Sequence, residues 1–549
     1  MGGALLQIVA YGAQDLYLTG NPQFTYFKMV YRRHTNFAIE TQQLEFDSDP
    51  NFDKKLSCTI TRNGDLLSKC FLWVQLPELT SKFIDNNYTN NDTNIANQPY
   101  ENGIQYKLGK KTNFETNRLN PDYVSQHKII SWVNSIGHVL IDYISIEIGG
   151  QEIDRQYGEW LEIWDELNNN KNKQPAYNNR MLGKYSRDDW YSKGIYNNAG
   201  ALNLYIPLQF WFCRNMGLAL PLVALQYHEV KFNIKFNSFN NCWYNAHMNK
   251  STYSKYSPNK RYPTKNFNIL NAHILCNYIY LDTDERKKFA QSSHEYLIDQ
   301  VQFNDPVSMS CNIVDTTIDL GFNHPLKEIV WVCQKQSIQN NNDWFNYSAA
   351  EPLILTVDNE LKLDNMIKCN DSDYNCSDTP NITKNYLFLK SINNYTYNSL
   401  QPTLSAIKKN ILVNCQQKNN QYELSDITCP PLASCVLQLN GMDRFTRTYN
   451  KFFDTIQPYM FHESIPENGN IYVYSFGLKP FNNSPSGTCN FSRVDNATFN
   501  IKINDICFLG ADIDTICEDK FNYVSIRIYA LNFNVLRIQS GMGGVAYTN

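Results

Sequence analysis

Carboxylate and tryptophan side chains alternate along one short stretch of this sequence, in a pattern suited to acid–base chemistry on a sugar. The residues are Glu159, Trp160, Glu162, Trp164, Asp165 and Glu166. In glycoside hydrolysis one carboxylic acid protonates the leaving group, and a second carboxylate attacks the sugar or activates water. The same spacing fits a helix with a wet acidic face and an apolar core face. We adopt the helix interpretation. A glycosidase, with two carboxylates about 5–10 Å apart in one cleft, stays an alternative.

The motifs for phosphate binding and nucleophilic catalysis are incomplete in this chain. A phosphate-binding loop needs G-x-x-x-x-G-K-[ST] after a strand. Gly103 and Gly109 are one residue too far apart, and Lys111 follows Lys110 where Ser or Thr is required. The sequence has no G-x-S-x-G elbow. Residues 484–487 (SPSG) are typical of a turn rather than of a nucleophile.

The spacing of cysteine and histidine does not match a metal site. Zinc sites use close pairs with two to four intervening residues. Cys369 and Cys376, like Cys429 and Cys435, are too far apart and lack a second pair at metal spacing. Three His-Glu pairs lack the second histidine of H-E-x-x-H, namely His228-Glu229, His294-Glu295 and His462-Glu463. These motifs do not commit the sequence to catalysis, and we predict no catalytic residue, no cofactor site and no metal site from them.

The acidic stretch belongs to a longer pattern, residues 144–167, that predicts strand, turn, strand and helix. Apolar residues at 144, 146 and 148 alternate with polar ones, as in a strand with one buried face. Gly149-Gly150 predicts a tight turn, and residues 151–157 the return strand. An apolar helix face with spacing i, i+3, i+4, i+7 follows, formed by Trp160, Ile163, Trp164 and Leu167.

The same pattern occurs a second time late in the chain. Residues 435–439 alternate, and Asn440-Gly441 is a strong hairpin signal. The tetrapeptide Phe-Asn-Ile-Lys also occurs downstream of each copy, at residues 232–235 and 499–502. Two repeated segments in the same order indicate that one β-domain was duplicated. The second helix face is predicted at Tyr449, Phe452, Phe453 and Ile456.

Length and composition limit the classes of protein. At 549 residues the chain is too long for one core and suits two domains of roughly 200–250 residues. Aromatic residues make up 14% and charged residues 19%, so we expect an aromatic-rich β interior and a largely uncharged polar surface. A net charge of −4 argues against the broad basic surface that nucleic-acid binding uses.

The cysteine pattern and the lack of a signal peptide indicate a reducing compartment. The 15 cysteines are odd in number and lack framework spacing, and the first 20 residues lack the features of a signal peptide. We therefore expect free thiols. No apolar run approaches the length that crosses a bilayer.

Short alternating segments separated by asparagine-rich stretches predict two antiparallel sandwiches in tandem with few helices. Residues 210–213 are predicted as a strand, and residues 541–544 as a flexible tail. Asp282, with Glu285 three residues later, predicts a short connecting helix. Long surface loops are predicted at residues 77–125, 168–174, 237–266, 364–384 and 414–426.

The start of the chain carries an apolar segment and a basic group. Residues 1–20 precede the first clear strand and include several aliphatic side chains, so we expect this segment to reach a neighbouring molecule. Residues 32–34 (RRH) are interpreted as a solvated basic face, because no wider basic stripe accompanies them.

Several segments resemble the major capsid proteins of nucleocytoplasmic large DNA viruses, closest to the algal-virus and giant-amoeba-virus members. The similar segments run from the first residues to the last and keep the order of the family. The long asparagine-rich loops depart from the family's shorter pattern. The segments are residues 2–3 (GG), 7–22 (QIVAYGAQDLYLTGNP), 27–28 (FK), 31–37 (YRRHTNF), 146–164, 281–289, 294–296 (HEY), 485–493 (PSGTCNFSR), 532–537 (NFNVLR) and 540–544 (SGMGG).

The resemblance implies an all-β fold of two tandem eight-stranded antiparallel jelly-roll sandwiches. It also implies a structural protein of the virion, without enzymatic activity, that forms homotrimers, pseudo-hexagonal capsomers and an icosahedral shell. The implied division is an N-terminal arm (1–23), a first jelly roll (24–283), a linker helix (284–297), a second jelly roll (298–538) and a C-terminal tail (539–549).

Partners and location follow from the same resemblance. We expect contacts with neighbouring capsomers and, through the N-terminal arm, with minor capsid proteins under the shell. We expect no direct nucleic-acid contact and no transmembrane segment, although the shell can overlie an internal membrane. Assembly is expected in the host cytoplasm. A carbohydrate-binding jelly roll with a concave aromatic site stays a second alternative.

Overall fold

Antiparallel strands dominate the part of the chain that the structure describes. Period-2 sequence patterns produce them, as in Val230–Phe236, where every second residue is buried. The computed structural model describes residues 12–29, 31–79, 81–82, 129–168, 177–185, 200–246, 262–263, 267–310, 315–340, 342–348, 430–466, 469–504 and 523–548.

The elements fall into two halves. The strands of the first half are β1 (Phe37–Glu45), β2 (Lys55–Thr59), β3 (Leu66–Leu76), β4 (Ser81–Lys82), β5 (Ile129–Trp132), β6 (Ile141–Ile148), β7 (Gln151–Tyr157), β8 (Leu202–Pro207), β9 (Leu220–Pro221), β10 (Val230–Phe236), β11 (Trp243–Ala246), β12 (Tyr262–Pro263) and β13 (Asn271–Leu281). Those of the second half are β14 (His294–Ser310), β15 (Asp315–Asp319), β16 (Pro325–Lys335), β17 (Leu432–Leu439), β18 (Met442–Asp443), β19 (Thr448–Tyr449), β20 (Ile471–Ser475), β21 (Cys489–Asn490), β22 (Ala497–Ile503), β23 (Tyr523–Gln539) and β24 (Met542–Val545).

Helices are short and few among the described residues. The α-helices are α1 (Leu16–Thr19), α2 (Ile136–Val139), α3 (Gly158–Asn168), α4 (Trp211–Arg214), α5 (Phe239–Cys242), α6 (Thr283–Gln291), α7 (Gln336–Asn340) and α8 (Gln457–Phe461). Wider π-helical turns occupy Asn178–Leu182 and Phe452–Ile456, and 3-10 turns occupy Met216–Leu218, Leu222–Ala224 and Phe491–Arg493.

Both halves have the same strand order. The sheets of the first half run β1-β13-β3-β8 and β2-β10-β6-β7, and those of the second half run β14-β23-β16-β20 and β15-β22-β17-β18. Each main strand of one half therefore has a counterpart at the same place in the other. The chain therefore contains two jelly-roll domains with the same strand order, which confirms the predicted duplication and fold class. The repeated tetrapeptides lie in the matching strands β10 and β22.

Each half has its own apolar core. In the first half, inward residues of β3 and β10 such as Leu72 and Phe232 pack in one buried cluster. In the second half, Trp331 and Phe499 pack edge to face, with ring centres 4.6 Å apart. Ile298 and Leu536 of the second half extend into the first core, so the two cores adjoin.

The strand predicted at residues 210–213 is wrong, because the chain forms helix α4 there. Phe210 and Phe212 are both fully buried and their rings stack 5.9 Å apart. A short, continuously apolar run has no alternation to distinguish strand from helix. The tertiary environment decides the outcome here.

The flexible tail predicted at residues 541–544 is also wrong. Met542–Val545 forms β24 and pairs with the end of β23. Gly541 has φ +79 and supplies the turn, and a Cβ on Gly543 would lie 2.7 Å from the side chain of Leu225. The glycines therefore serve a tight turn and close packing.

Two further boundaries differ from the sequence expectation. The predicted loop at residues 237–266 begins with helix α5 and strand β11, which pairs with β5. The linker helix predicted over residues 284–297 spans Thr283–Gln291, and the chain is already in strand β14 from His294. Asp282 accepts a hydrogen bond from the Thr283 amide, as its capping role predicted.

Other predictions fall wholly or largely outside the described residues. These are Gly103, Gly109, Lys110 and Lys111, the cysteines 369, 376 and 429, the loops at 364–384 and 414–426, most of the loops at 77–125 and 168–174, and residues 1–11 of the N-terminal arm. Residues 12–29 and 31–36 are exposed wherever their burial is described, with Phe27 99% exposed. Residues 32–34 form the expected solvated basic face.

Gly158, the first residue of α3, allows two backbone segments to approach closely. A Cβ there would lie 2.1 Å from the carbonyl oxygen of His138 and 2.3 Å from that of Ile141. We predict that Gly158→Ala lowers the free energy of unfolding by about 1–3 kcal/mol, because backbone atoms must move. Thermal and chemical denaturation measure this change. Gly200→Ala, where a Cβ meets nothing within 4 Å, is the matched control. Equal stability of the two variants would contradict the account.

Candidate functional site: the junction between the two sandwiches

Helix α3 joins the two halves through an apolar face. Its residues Trp160, Ile163, Trp164 and Leu167 are buried against the second half, as the helical spacing predicted. The opposite side of the helix sends Leu161 into the first core. The partners of the apolar face are the outward-facing side chains of β16, β20 and β23, namely Val330, Val332, Ile471, Val473, Tyr529 and Leu531.

Glu159 forms a clamp across the junction. Its carboxylate accepts hydrogen bonds from Arg527 Nε and Nη2, both at 2.6 Å. It also accepts hydrogen bonds from the hydroxyls of Tyr529 at 2.7 Å and Tyr347 at 3.0 Å. Burial opposes the charge on Arg527, but the Glu159 carboxylate outweighs it and raises the pKa of Arg527. A bidentate pair of this kind fixes orientation as well as distance.

The remaining acids of α3 are buried around one lysine. Lys184 Nζ lies 2.9 Å from Glu162, 3.1 Å from Asp165 and 2.7 Å from Glu166. His138 Nδ1 lies 2.6 Å from the other oxygen of Glu162. The three acidic residues are at most 9% exposed. The wet acidic face expected from the sequence is therefore wrong, because the acids point into the first half.

The charges in this cluster shift the pKa values of its members. Burial would raise the pKa of Glu162, but the Lys184 charge and the His138 hydrogen bond hold it at about 2. Burial raises the pKa of Glu166 despite the same lysine. Burial opposes the charge on Lys184, yet Glu162 and the other acids raise its pKa well above its usual value. Lys184 is thus the cation that makes this helix compatible with a buried environment.

The second half also caps the C-terminal end of α3. Ser464 donates from its amide to the Leu167 carbonyl and from its hydroxyl to the Glu166 carbonyl, at 3.1 and 2.6 Å. These carbonyls have no partner within a helix, so a capping residue from elsewhere satisfies them. His462 is within 3.1 Å of Asn168 and 3.0 Å of Glu328.

Strand-level contacts continue the junction beside the helix. Asp299 lies 2.9 Å from Arg214 and 3.0 Å from Lys327. Asp154 of β7 accepts a hydrogen bond from the Val301 amide at 3.0 Å. Burial raises the pKa of Asp154 to about 6.

A cavity of about 560 Å³ opens beside these contacts, between the two halves. Its lining includes Glu152 and Asp154. The Glu152 carboxylate accepts a hydrogen bond from Arg155. The Asp154 carboxylate accepts hydrogen bonds from the Gln156 side chain and the Val301 amide.

The other sequence candidates are scattered and have structural roles. His228 Nδ1 lies 3.0 Å from the Gly543 carbonyl, and His294 Nε2 lies 2.7 Å from the Phe289 carbonyl. Cys435 is buried, which raises the pKa of its thiol. Ser486 accepts a hydrogen bond from the Lys479 amide within a turn. In the residues that the structure describes, no three His, Cys, Asp or Glu side chains form a group able to hold a metal ion. Helices long and apolar enough to cross a membrane are likewise missing from the described ranges.

Sequence reasoning found α3 but missed the residues that hold it. Lys184, Arg527 and Ser464 lie 18 to several hundred positions from their partners along the chain, and no spacing rule connects them. The one available signal was the low content of charged residues, 19%. It makes a cluster of four acids unusual.

Two family models match this chain and cover most of its length. Residues 25–282 match the major capsid protein N-terminus. Residues 285–544 match the large eukaryotic DNA virus major capsid protein. The chain belongs to the major capsid protein family of large eukaryotic DNA viruses. The resemblance noted from the sequence is therefore confirmed, and the junction described above is the contact between the two jelly rolls of a capsid protein.

Individual relatives agree with this family. The major capsid protein of Phaeocystis pouchetii virus is 35% identical over 580 residues, and that of Paramecium bursaria Chlorella virus 1 is 32% identical over 563, with full coverage of both chains in each case. A quasi-atomic model of the PBCV-1 virus capsid matches with a TM-score of 0.60 and 27% identity, covering 96% of this chain and 100% of that chain. The Faustovirus major capsid protein, at 12% identity and a TM-score of 0.59, covers 96% of this chain and 94% of its own, and has the same fold.

Removing Arg527 from the capsid protein leaves Glu159 buried without its cation. We predict that Arg527→Ala lowers the free energy of unfolding by about 3–5 kcal/mol. The control is Arg537→Ala, because Arg537 pairs with Glu295 in an exposed contact where the expected change is about 0–1 kcal/mol. In a double-mutant cycle with Glu159→Ala, the two losses are expected to be non-additive. Additive losses measured by chemical denaturation would contradict the clamp.

Removing Lys184 leaves three buried carboxylates of α3 close together without their shared cation, so that they repel one another. We predict that Lys184→Met destabilises the protein strongly at pH 7 and less at pH 4.5. In the wild type the lowered pKa of Glu162 contributes stability that is present above the unfolded-state value of about 4.5 and is lost as pH falls toward 2. In the variant the acids gain stability from protonation instead. Chemical denaturation at both pH values tests this. Lys231→Met, in a half-exposed pair with Glu229, is expected to show little change at either pH.

Proposed function

We propose that three copies of this chain assemble into a pseudo-hexagonal capsomer, and that these capsomers tile the icosahedral shell of a large double-stranded DNA virus. The observation that carries the proposal is the duplication. Three chains with two alike sandwiches each supply six similar blocks around one axis, and closed cyclic symmetry is the rule for homo-oligomers. The domain division follows the same logic, with the first jelly roll at 24–283 and the second from His294, where β14 begins, to Val545, where β24 ends.

The remaining parts of the proposal concern partners and place. The relatives are capsid proteins, and we propose that this chain likewise has a structural and not an enzymatic role. The N-terminal arm, residues 1–23, is proposed to contact minor capsid proteins under the shell. The exposure of Phe24, Tyr26 and Phe27, at 64–99%, supports a contact that continues beyond the arm, because such a run of aromatic side chains favours burial against a partner. Assembly is proposed to occur in the host cytoplasm.

Light scattering of the purified full-length chain tests the capsomer. We expect a particle of three times 63.8 kDa that persists on dilution. A stable monomer of 63.8 kDa at micromolar concentration would contradict the proposal. A glycan-binding screen on the same sample would then decide whether a carbohydrate-binding role replaces it.

A further inference from the structure

The second half contains a counterpart of α3 with an uncovered apolar face. This twin helix, residues 452–461, follows the β17 hairpin as α3 follows the β6 hairpin. Phe453 enters the second core and is fully buried, as Leu161 enters the first. On the outer side Ile456 is 45%, Tyr459 76% and Met460 57% exposed. The corresponding outer side of α3 is buried against the neighbouring sandwich.

The surface that α3 covers also has a counterpart, in the first half. On the second-half sheet, Tyr529, Val330 and Val473 lie side by side across β23, β16 and β20. They are buried beneath α3. Matching rows therefore exist on β13, β3 and β8, which occupy the same places in their sheet.

These matching rows are largely apolar, and all their members except His273 are only partly covered. Leu275, Phe71 and Pro207 lie side by side in one row, and His273, Trp73 and Tyr205 in the next. Phe71, Trp73 and Leu275 are half-buried, and Tyr205 is 39% exposed. Trp73 stacks on His273 at 4.3 Å and meets Tyr205 edge to face. The sheet therefore presents an ordered apolar platform.

We propose that the twin helix of one copy docks on this platform of the next copy, through Ile456, Tyr459 and Met460 against Phe71, Trp73 and Tyr205. This contact between chains has the same arrangement as the packing of α3 on the second-half sheet within one chain. The proposal rests on the proposed trimer. A second copy is the occupant because one chain carries both surfaces, and the intrachain junction is a built example of their fit. Such a head-to-tail contact is heterologous, and it forms a ring when its rotation closes.

Solution mass tests the helix side of the contact. In the full-length chain, Ile456→Asp with Tyr459→Asp places charges on the exposed face without entering the core. Below the concentration at which trimers form, we expect these variants to unfold at the wild-type temperature. We also expect the concentration at which their trimers dissociate to rise at least tenfold. Tyr205→Asp, on the platform, is expected to have the same effect. Met442→Asp is the control, because Met442 is 70% exposed and pairs with Leu439 of β17. Leu439 lies about 17 Å along that strand from Ser434, which pairs with Tyr449 shortly before the twin helix.

Photo-crosslinking identifies the occupant directly. A benzophenone amino acid replaces Tyr459, and chains labelled with ¹⁴N and ¹⁵N are mixed before assembly. We expect crosslinked peptides that join residue 459 of one isotope to β3, β8 or β13 of the other. A trimeric wild type whose variants stay trimeric, or whose crosslinks fall elsewhere, overturns the proposed surfaces and leaves the capsomer standing. A monomeric wild type overturns both.

Discussion

The structure depends on a single helix that must satisfy two different environments at once. One side of α3 carries two tryptophans and two aliphatic side chains into the second sandwich, and the other side carries three carboxylates into the first. Buried carboxylates are costly unless paired. Lys184 pairs with those three carboxylates and holds α3 on the first sandwich, and Arg527 pairs with Glu159 and holds the helix on the second. Without them the apolar face could still dock, but the acids would favour water over the first half.

Much of the fold followed from the sequence for a simple reason. Period-2 alternation in segments such as residues 144–148 and 230–236 reports directly which side faces a core. The hairpin at Gly149-Gly150 and its twin at Asn440-Gly441 are local signals of the same quality. The α3 face was equally predictable, because its contacts lie at helical spacing. These features depend on neighbours in the sequence, so the sequence displays them.

The rest depended on partners that are distant in sequence. The acids of α3 appeared to need solvent because nothing near them pointed to Lys184. The twin helix face predicted at Tyr449, Phe452, Phe453 and Ile456 is only partly correct. Tyr449 belongs to β19, and a π-helical turn follows at Phe452–Ile456. Only Phe453 of these four is buried. The same motif thus serves a buried junction in one half and an open surface in the other.

A cryo-electron microscopy reconstruction of the purified full-length chain tests the central claim most directly. We expect a three-fold particle with six sandwiches around its axis. In that particle the contact made by α3 within each chain alternates with the contact made by residues 452–461 between chains. A three-fold particle in which Ile456 and Tyr459 face solvent would contradict the shared-contact account. A particle without three-fold symmetry would contradict the capsomer itself.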